Sequence, residues 1–329
     1  MVQPYKGGMG LARLSVVLLA LSLPAVCAAA NAVPAEATQC VLEQQASLDV
    51  AWDGPDNKPL YPLVTLALND QPASFLFQAN SFWSVAKAEV AEQLKLPVRL
   101  FAPNVSLRQY IVVPKVTLGH LVLKDVTVGL VSNKSLFGEK GVGALAMGSL
   151  TAVDIELDLR HDKINLFSSH RCDADPVYWA DTYAVARMHR GKLNDLYFDM
   201  ELEGKKLQTE LGTTEADSKI WSAISKRLFG FDDASPDLDP SHHYRAMALT
   251  ANGLRVANAR ISVLKSTKCV KDSTLRLDEE GALGFGQCYG AYPLILGLSV
   301  LRDLRIYIAT KENKMYFTAW DAHRSGQTN

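Results

Sequence analysis

The strongest constraint on this chain is that it repeats itself. Ala144–Leu166 (ALAMGSLTAVDIELDLRHDKINL) and Ile295–Phe317 (ILGLSVLRDLRIYIATKENKMYF) keep their apolar positions in register at a constant offset of 151. Leu63–Ser84 (LVTLALNDQPASFLFQANSFWS) and Tyr197–Ser218 (YFDMELEGKKLQTELGTTEADS) align at an offset of 134. Self-similarity of this kind marks a duplicated unit. Each half therefore reads as strand, turn, strand, small-residue loop and, later, an apolar strand before a final hairpin.

Strand patterns dominate. Leu60–Leu68, Ser74–Phe77, Tyr110–Val116, Leu121–Leu130, Asp154–Leu159 and Lys163–Phe167 alternate or run apolar between turn residues. The second half repeats this at Tyr197–Leu202, Arg245–Leu249, Leu254–Leu264, Leu304–Ile308 and Lys314–Phe317. Helical periodicity is short, over Val85–Leu94 and Lys219–Leu228. The expectation is an all-β, bilobal fold with a few short helices: an N-terminal lobe over 33–172, a linker over 173–190 and a C-terminal lobe over 191–329. The join falls in Ser168–Arg190, where Asp173, Asp175 and Pro176 punctuate the chain.

Met1–Ala32 reads as a signal peptide, with Lys6 and Arg13, an apolar run Leu14–Val26, and small residues Ala28-Ala29-Ala30-Asn31-Ala32 suited to cleavage. The expected location is periplasmic or secreted. The apolar run is short for a membrane span, and no later stretch approaches the ~20 apolar residues a span needs. Cys27 is expected to leave with the signal. Cys40, Cys172, Cys269 and Cys288 remain, an even number in an oxidising compartment. They allow three pairings. The favoured one is Cys40–Cys172, which brackets the first repeat, with Cys269–Cys288, which lies inside the second. No C-x-x-C spacing supports metal binding by these thiols. A net charge of -1 and scattered basic residues argue against a nucleic-acid surface. No cofactor is expected.

This order of parts resembles the pepsin-like and retropepsin-like aspartic peptidases, in which each lobe supplies an Asp-Thr-Gly loop and a later apolar-apolar-Gly strand. Leu294-Ile295-Leu296-Gly297-Leu298 with Leu301 is similar to that later element, while Ala144-Leu145-Ala146-Met147 with Leu150 has Ala where the Gly would stand. The phrase FLFQANSFWSVAKAEVAEQL resembles the strand, catalytic loop and helix of bacterial relatives. The resemblance covers most of the chain after the signal. It places the first catalytic Asp on Gln78, followed by Ala79, Asn80 and Ser81, and the second on Gly212, followed by Thr213, Thr214 and Glu215. It also implies a monomer, because the duplicated chain already holds the two lobes that single-lobe relatives assemble as a dimer.

Neither half carries the acid. Peptide hydrolysis in that family depends on two carboxylates a few ångströms apart that share one proton. Losing one positioned acid–base group costs ~10²–10⁴ in rate, and losing both removes the pair that activates water. Other carboxylates have structural explanations. Asp70 follows Asn69 in a hairpin turn, Glu210 precedes Leu211 on a strand and faces away from it, and Glu215 and Asp217 flank the following helix. Asp232, Asp233, Asp237, Asp239, His242 and His243 gather on a turn-rich loop, but their spacing matches no metal loop. Asn104-Val105-Ser106 and Asn133-Lys134-Ser135 fit a glycosylation pattern that is frequent by chance.

Two function classes follow. One is a non-catalytic binding or scaffold module whose inter-lobe cleft holds an extended peptide or another polymer, lined by Gln78, Asn80, Ser81, Trp83, Tyr110, Thr213, Thr214 and Glu215. The other is a hydrolase with a displaced acid pair. Phe82 and Trp83 either line the groove or pack beneath the helix that follows. An acid converging on Gln78 and Gly212 separates the two classes.

Overall fold

The computed structural model describes residues 42–54, 61–101, 107–132, 137–168, 176–191, 195–236, 238–239, 244–265, 275–277, 283–285 and 292–323. Met1–Ala32, all five cysteines, Asp237, His242, His243 and both Asn-x-Ser triplets lie outside the described residues. Contacts gather Gln39–Asn329 into one unit.

Short apolar and β-branched runs between turns make the chain almost wholly β. The first half holds β1 (Gln44–Asp49), β2 (Ala51–Asp53), β3 (Tyr61–Leu68), β4 (Gln71–Gln78), β5 (Val85–Lys87), α1 (Glu89–Gln93), β6 (Arg99–Leu100), β7 (Gln109–Leu118), β8 (Leu121–Val131), β9 (Gly143–Ala146), β10 (Val153–Asp158) and β11 (Lys163–Ser168). The second holds β12 (Ala184–Arg190), β13 (Leu196–Leu202), β14 (Lys205–Leu211), β15 (Ser218–Trp221), α2 (Ser222–Phe229), β16 (Tyr244–Ala251), β17 (Leu254–Leu264), β18 (Leu275–Leu277), β19 (Leu283–Phe285), β20 (Leu294–Leu296), α3 (Leu298–Leu301), β21 (Leu304–Ala309) and β22 (Lys314–Ala319).

In each half six strands close on themselves: β3-β4-β9-β5-β8-β7 returns to β3, and β13-β14-β20-β15-β17-β16 returns to β13. The senses agree at every junction. β4–β9 and β14–β20 are parallel, as are β5–β8 and β15–β17, and the remaining pairs are antiparallel. Closure leaves these two barrel-like sheets few bare edges.

Left-handed backbone recurs at matching places. Asn69 and Asp70 (φ 47 and 66) answer to Glu203 and Gly204 (φ 47 and 71), Asp125 (φ 53) to Asn258 (φ 56), and Asp162 (φ 56) to Asn313 (φ 53). The first two pairs are two-residue hairpin loops with positive φ at both positions, the geometry that suits the twist of the flanking strands. Residue types at these turns differ between the halves while the sign of φ does not.

Between the barrels, β1-β11-β10-β21-β22-β12 forms a continuous run in which β10 and β21 join the halves through Ile155↔Ile308 and Leu157↔Ile306. Every residue of β10 is buried. Ile155 and Leu157 enter the main core, with Ile164, Leu166, Ile306 and Ile308. The other face carries Asp154, Glu156 and Asp158, and beside them Val177, Trp179 and Ala180 pack on Phe167, Tyr307 and Tyr316. There Arg305 lies 2.5 Å from Glu156, 3.5 Å from Asp158 and 4.3 Å above the Trp179 ring.

One expectation needs correction. Val85–Leu94 and Lys219–Leu228 are not helical throughout, because parallel ladders to β8 and β17 draw Val85–Lys87 and Ser218–Trp221 into strands. Helix begins only at Glu89 and Ser222. The 173–190 segment ends in β12, which pairs first with β22 and then with β13.

Candidate functional site

The two small-residue loops after β4 and β14 meet. Thr213, fully buried, donates its Oγ1 hydroxyl to the Phe77 carbonyl at 2.8 Å and accepts the Ala79 N–H at 3.1 Å. Phe77 and Ala79 flank Gln78, so this clasp sets Gln78 beside Gly212 at the seam between the halves. It is one-sided, because the matching position in the first loop is Ala79, which has no hydroxyl.

Each loop is anchored from behind in the same way. Ser84 Oγ accepts the Ala146 N–H at 3.1 Å, and Ser218 Oγ accepts the Gly297 N–H at 3.0 Å. The Glu215 and Ala216 carbonyls accept the N–H groups of Leu298 and Ser299, and the Ser81 carbonyl accepts that of Gly148. A Cβ on Gly297 would run into the Asp217 backbone, so this strand end requires glycine. Its first-half counterpart, Ala146, is accommodated fully buried.

No acid fits at the second position as the chain stands. A Cβ on Gly212 would lie 2.5 Å from Ile295 Cγ2 and 3.1 Å from the Leu296 carbonyl. Ile295, 8% exposed, fills the room a side chain there would need. Gln78 is half-buried and cannot ionise.

The other carboxylates weighed from the sequence are engaged. Asp70 pairs with Lys115 at 2.6 Å on the β3–β4 turn, at the far end of β4 from Gln78, Glu215 pairs with Lys219, and Asp217 faces Arg260 at 3.5 Å. Glu210 differs. It does face away from Leu211, on the face it shares with Gly212, and it is 5% exposed. Burial first, then the charges of Asp195 and Glu215, push its carboxyl up to about 8, with the Asn80 amide opposing. Asp195 itself accepts the Tyr292 hydroxyl, whose pKa burial and Asp195 raise above the usual phenol range. Asn80 Oδ1 is buried without a partner among the described residues.

On the first-half side an aromatic chain runs out from the loop. Phe82 and Trp83 meet at 5.0 Å, Trp83 and Phe101 at 5.3 Å, and Phe101 and Tyr110 at 4.4 Å between ring centroids. Tyr110 pairs with Arg99 across the β6–β7 hairpin. Trp83 is 37% exposed and links the loop to that hairpin, with Ser81 Oγ donating to its carbonyl. Thr214 sits half-buried in the second turn. On the acidic loop, Asp232 pairs with Lys226 at 2.9 Å and Asp233 accepts the Ser222 hydroxyl at 2.5 Å.

Neither a search of protein-family models nor one of curated proteins finds a match to this chain. Sequence reasoning named both loops, set Glu210 aside as a strand residue turned away from Leu211, and quoted Ile295 only as part of an apolar strand; Phe101 it did not name. Alternation along β14 places Glu210 on the face of Gly212 and was the available signal. The packing of Ile295 on Gly212 and of Phe101 on Trp83 joins distant elements and left none.

Proposed function

We propose that this chain is an exported, catalytically degenerate aspartic-peptidase-like protein of pepsin-like build, derived from a duplicated lobe, and that its inter-lobe cleft holds an extended peptide or another polymer without cutting it. The observation that carries the reading is the Thr213 clasp. It keeps two equivalent loops in apposition where that family has its carboxylate pair, while Gln78 cannot ionise and Ile295 crowds Gly212. The offsets between matching strands and turns, 133–135 residues in the barrels and 151 from β9 and β20 onward, support the duplication. A site that has lost its reactive groups can keep its groove. The groove side offers what strand-like recognition uses: β6 is the outer strand of its sheet, Leu100 on it is 75% exposed, and Trp83 stands nearby.

Incubation of the purified protein with a random peptide pool, followed by mass spectrometry of the retained fraction, tests this. Retained peptides should be intact, and Trp83→Ala should reduce their retention at unchanged stability. No enrichment over the pool contradicts the proposal.

Glu210 favours a second reading, a hydrolase working from a displaced acid. Its carboxylate neighbours, Asp195 and Glu215, are bonded to Tyr292 and Lys219, and neither of them shares a hydrogen bond with it among the described residues. Cleavage abolished by Glu210→Gln with the fold intact would establish that reading instead.

A further inference from the structure

We infer that the peptide this chain holds is an acidic one: the outer edge of β6 takes an extended segment in which apolar and carboxylate side chains alternate. The inference rests on the peptide-holding reading and names the class of peptide.

Exposed apolar surface gathers here. Trp83, Val98 and Leu100 are 37%, 48% and 75% exposed, three of the five large apolar side chains so exposed among the described residues. The charge beside them has one sign. From Gln93 to Lys124 the sequence holds Lys95, Arg99, Arg108, Lys115 and Lys124 and no Asp or Glu. Lys115 is paired with Asp70. Lys95, Arg99 and Arg108 are exposed and carry no ion pair among the described residues.

Strand geometry sorts these groups onto two faces. β6 pairs with β7 through Arg99↔Tyr110 and Leu100↔Gln109, and the Phe101 N–H donates to the Arg108 carbonyl at 3.0 Å. By alternation the backbone groups of Arg99 and Phe101 turn towards β7, and the N–H and C=O of Leu100 point to the outer edge, where β6 has no neighbouring strand among the described residues. Cross-strand partners share a face, so Arg99, Phe101, Arg108 and Tyr110 lie on one side of the hairpin and Leu100 on the other. Trp83 joins the first side through its ring contact with Phe101.

An open strand edge is a template for an added strand. A segment laid against Leu100 puts its own side chains alternately on the same two faces. Those on the Leu100 side meet apolar surface, and those on the Arg99 side meet two guanidinium groups with no carboxylate of their own. Carboxylates suit that second face, because arginine takes them with paired N–H donors, and lysine or arginine there would face like charge. The two arginines thus give the edge a selectivity that backbone bonds alone lack.

The test is fluorescence anisotropy of three labelled hexapeptides with the full chain: Val-Glu-Leu-Glu-Val-Glu, Val-Thr-Leu-Thr-Val-Thr and Val-Lys-Leu-Lys-Val-Lys. The acidic peptide should bind ~10-fold tighter than the threonine peptide at low salt, an advantage that fades as salt screens it. Arg99→Glu with Arg108→Glu should move the preference to the lysine peptide. Leu100→Pro removes the outward N–H at an edge position that tolerates proline, and should weaken binding of the acidic peptide. Equal binding of the acidic and threonine peptides by wild type, or an acidic preference that survives Arg99→Glu with Arg108→Glu, overturns the inference and leaves the peptide-holding reading in place. Should that double variant not fold, Arg99→Gln alone reads the same point by losing part of the acidic preference, and an unchanged preference overturns the inference. Binding to phosphatidylglycerol vesicles without discrimination among the peptides assigns the patch to a membrane surface and also overturns it. Binding of none of the three peptides overturns the inference, and with no enrichment from the random pool it contradicts the peptide-holding reading as well.

Discussion

Ile295 Cγ2 stands 2.5 Å from the point a Cβ on Gly212 would occupy. Absence of a side chain at 212 is thus built into the packing of β20 and is not a matter of one codon. Gly212→Asp should destabilise by about 1–3 kcal/mol through overpacking. Ile295→Ala in the same chain should recover part of that loss, a coupling that a double-mutant cycle in urea measures.

Restoring both acids should not restore activity. Gln78→Asp with Gly212→Asp meets the crowding at Ile295, and Asn80 and Thr214 still stand where the peptidase loops have glycine. Pepstatin-sensitive cleavage by that double variant would contradict this.

Thr213 serves two backbone groups that have no water to turn to, since Phe77 is fully buried and Ala79 is 2% exposed. Thr213→Val keeps the shape and leaves the Phe77 carbonyl and the Ala79 N–H unsatisfied, at about 1–3 kcal/mol each. Thr213→Ser should restore most of the loss. Equilibrium unfolding in urea reads both.

Two carboxyls give stability opposite slopes with pH. Glu210 is raised from 4.5 to about 8, so the folded state binds the extra proton between those values. Its contribution is full below pH 4.5 and is lost as pH rises through about 8, at ~1.4 kcal/mol per unit at most. Asp53 is lowered from 3.8, chiefly because the Lys140 N–H donates to it, with Gly54 N–H adding to this and burial opposing. Its contribution is present above pH 3.8 and is lost as pH falls through the lower folded value. Unfolding midpoints across pH should therefore lose the alkaline slope in Glu210→Gln and part of the acid slope in Asp53→Asn.

Arg305 neutralises Glu156, which has no exposure at all. Arg305→Ala strands that buried charge and should cost about 3–5 kcal/mol, whereas replacing both partners by apolar residues of similar size should be near neutral. Thermal unfolding of the single and double variants separates a needed charge from a needed shape.

The strand order of the two halves was legible because alternation survives in both: β10 and β11 were readable from Asp154–Leu159 and Lys163–Phe167, and β21 and β22 from Leu304–Ile308 and Lys314–Phe317. Val85–Lys87 was not, since its helical periodicity runs on from α1 and only a long-range parallel partner makes it a strand. Gln78 and Gly212 were placed by the resemblance to the peptidase loops. That Ile295 closes on Gly212 depends on a contact between distant segments that no local pattern encodes.

The most direct test of the central claim is digestion of casein by the purified, folded protein from about pH 3 to 9, with and without pepstatin. The account predicts intact casein throughout. Pepstatin-sensitive fragments would mean that a working carboxylate pair exists and that the cleft is a peptidase site.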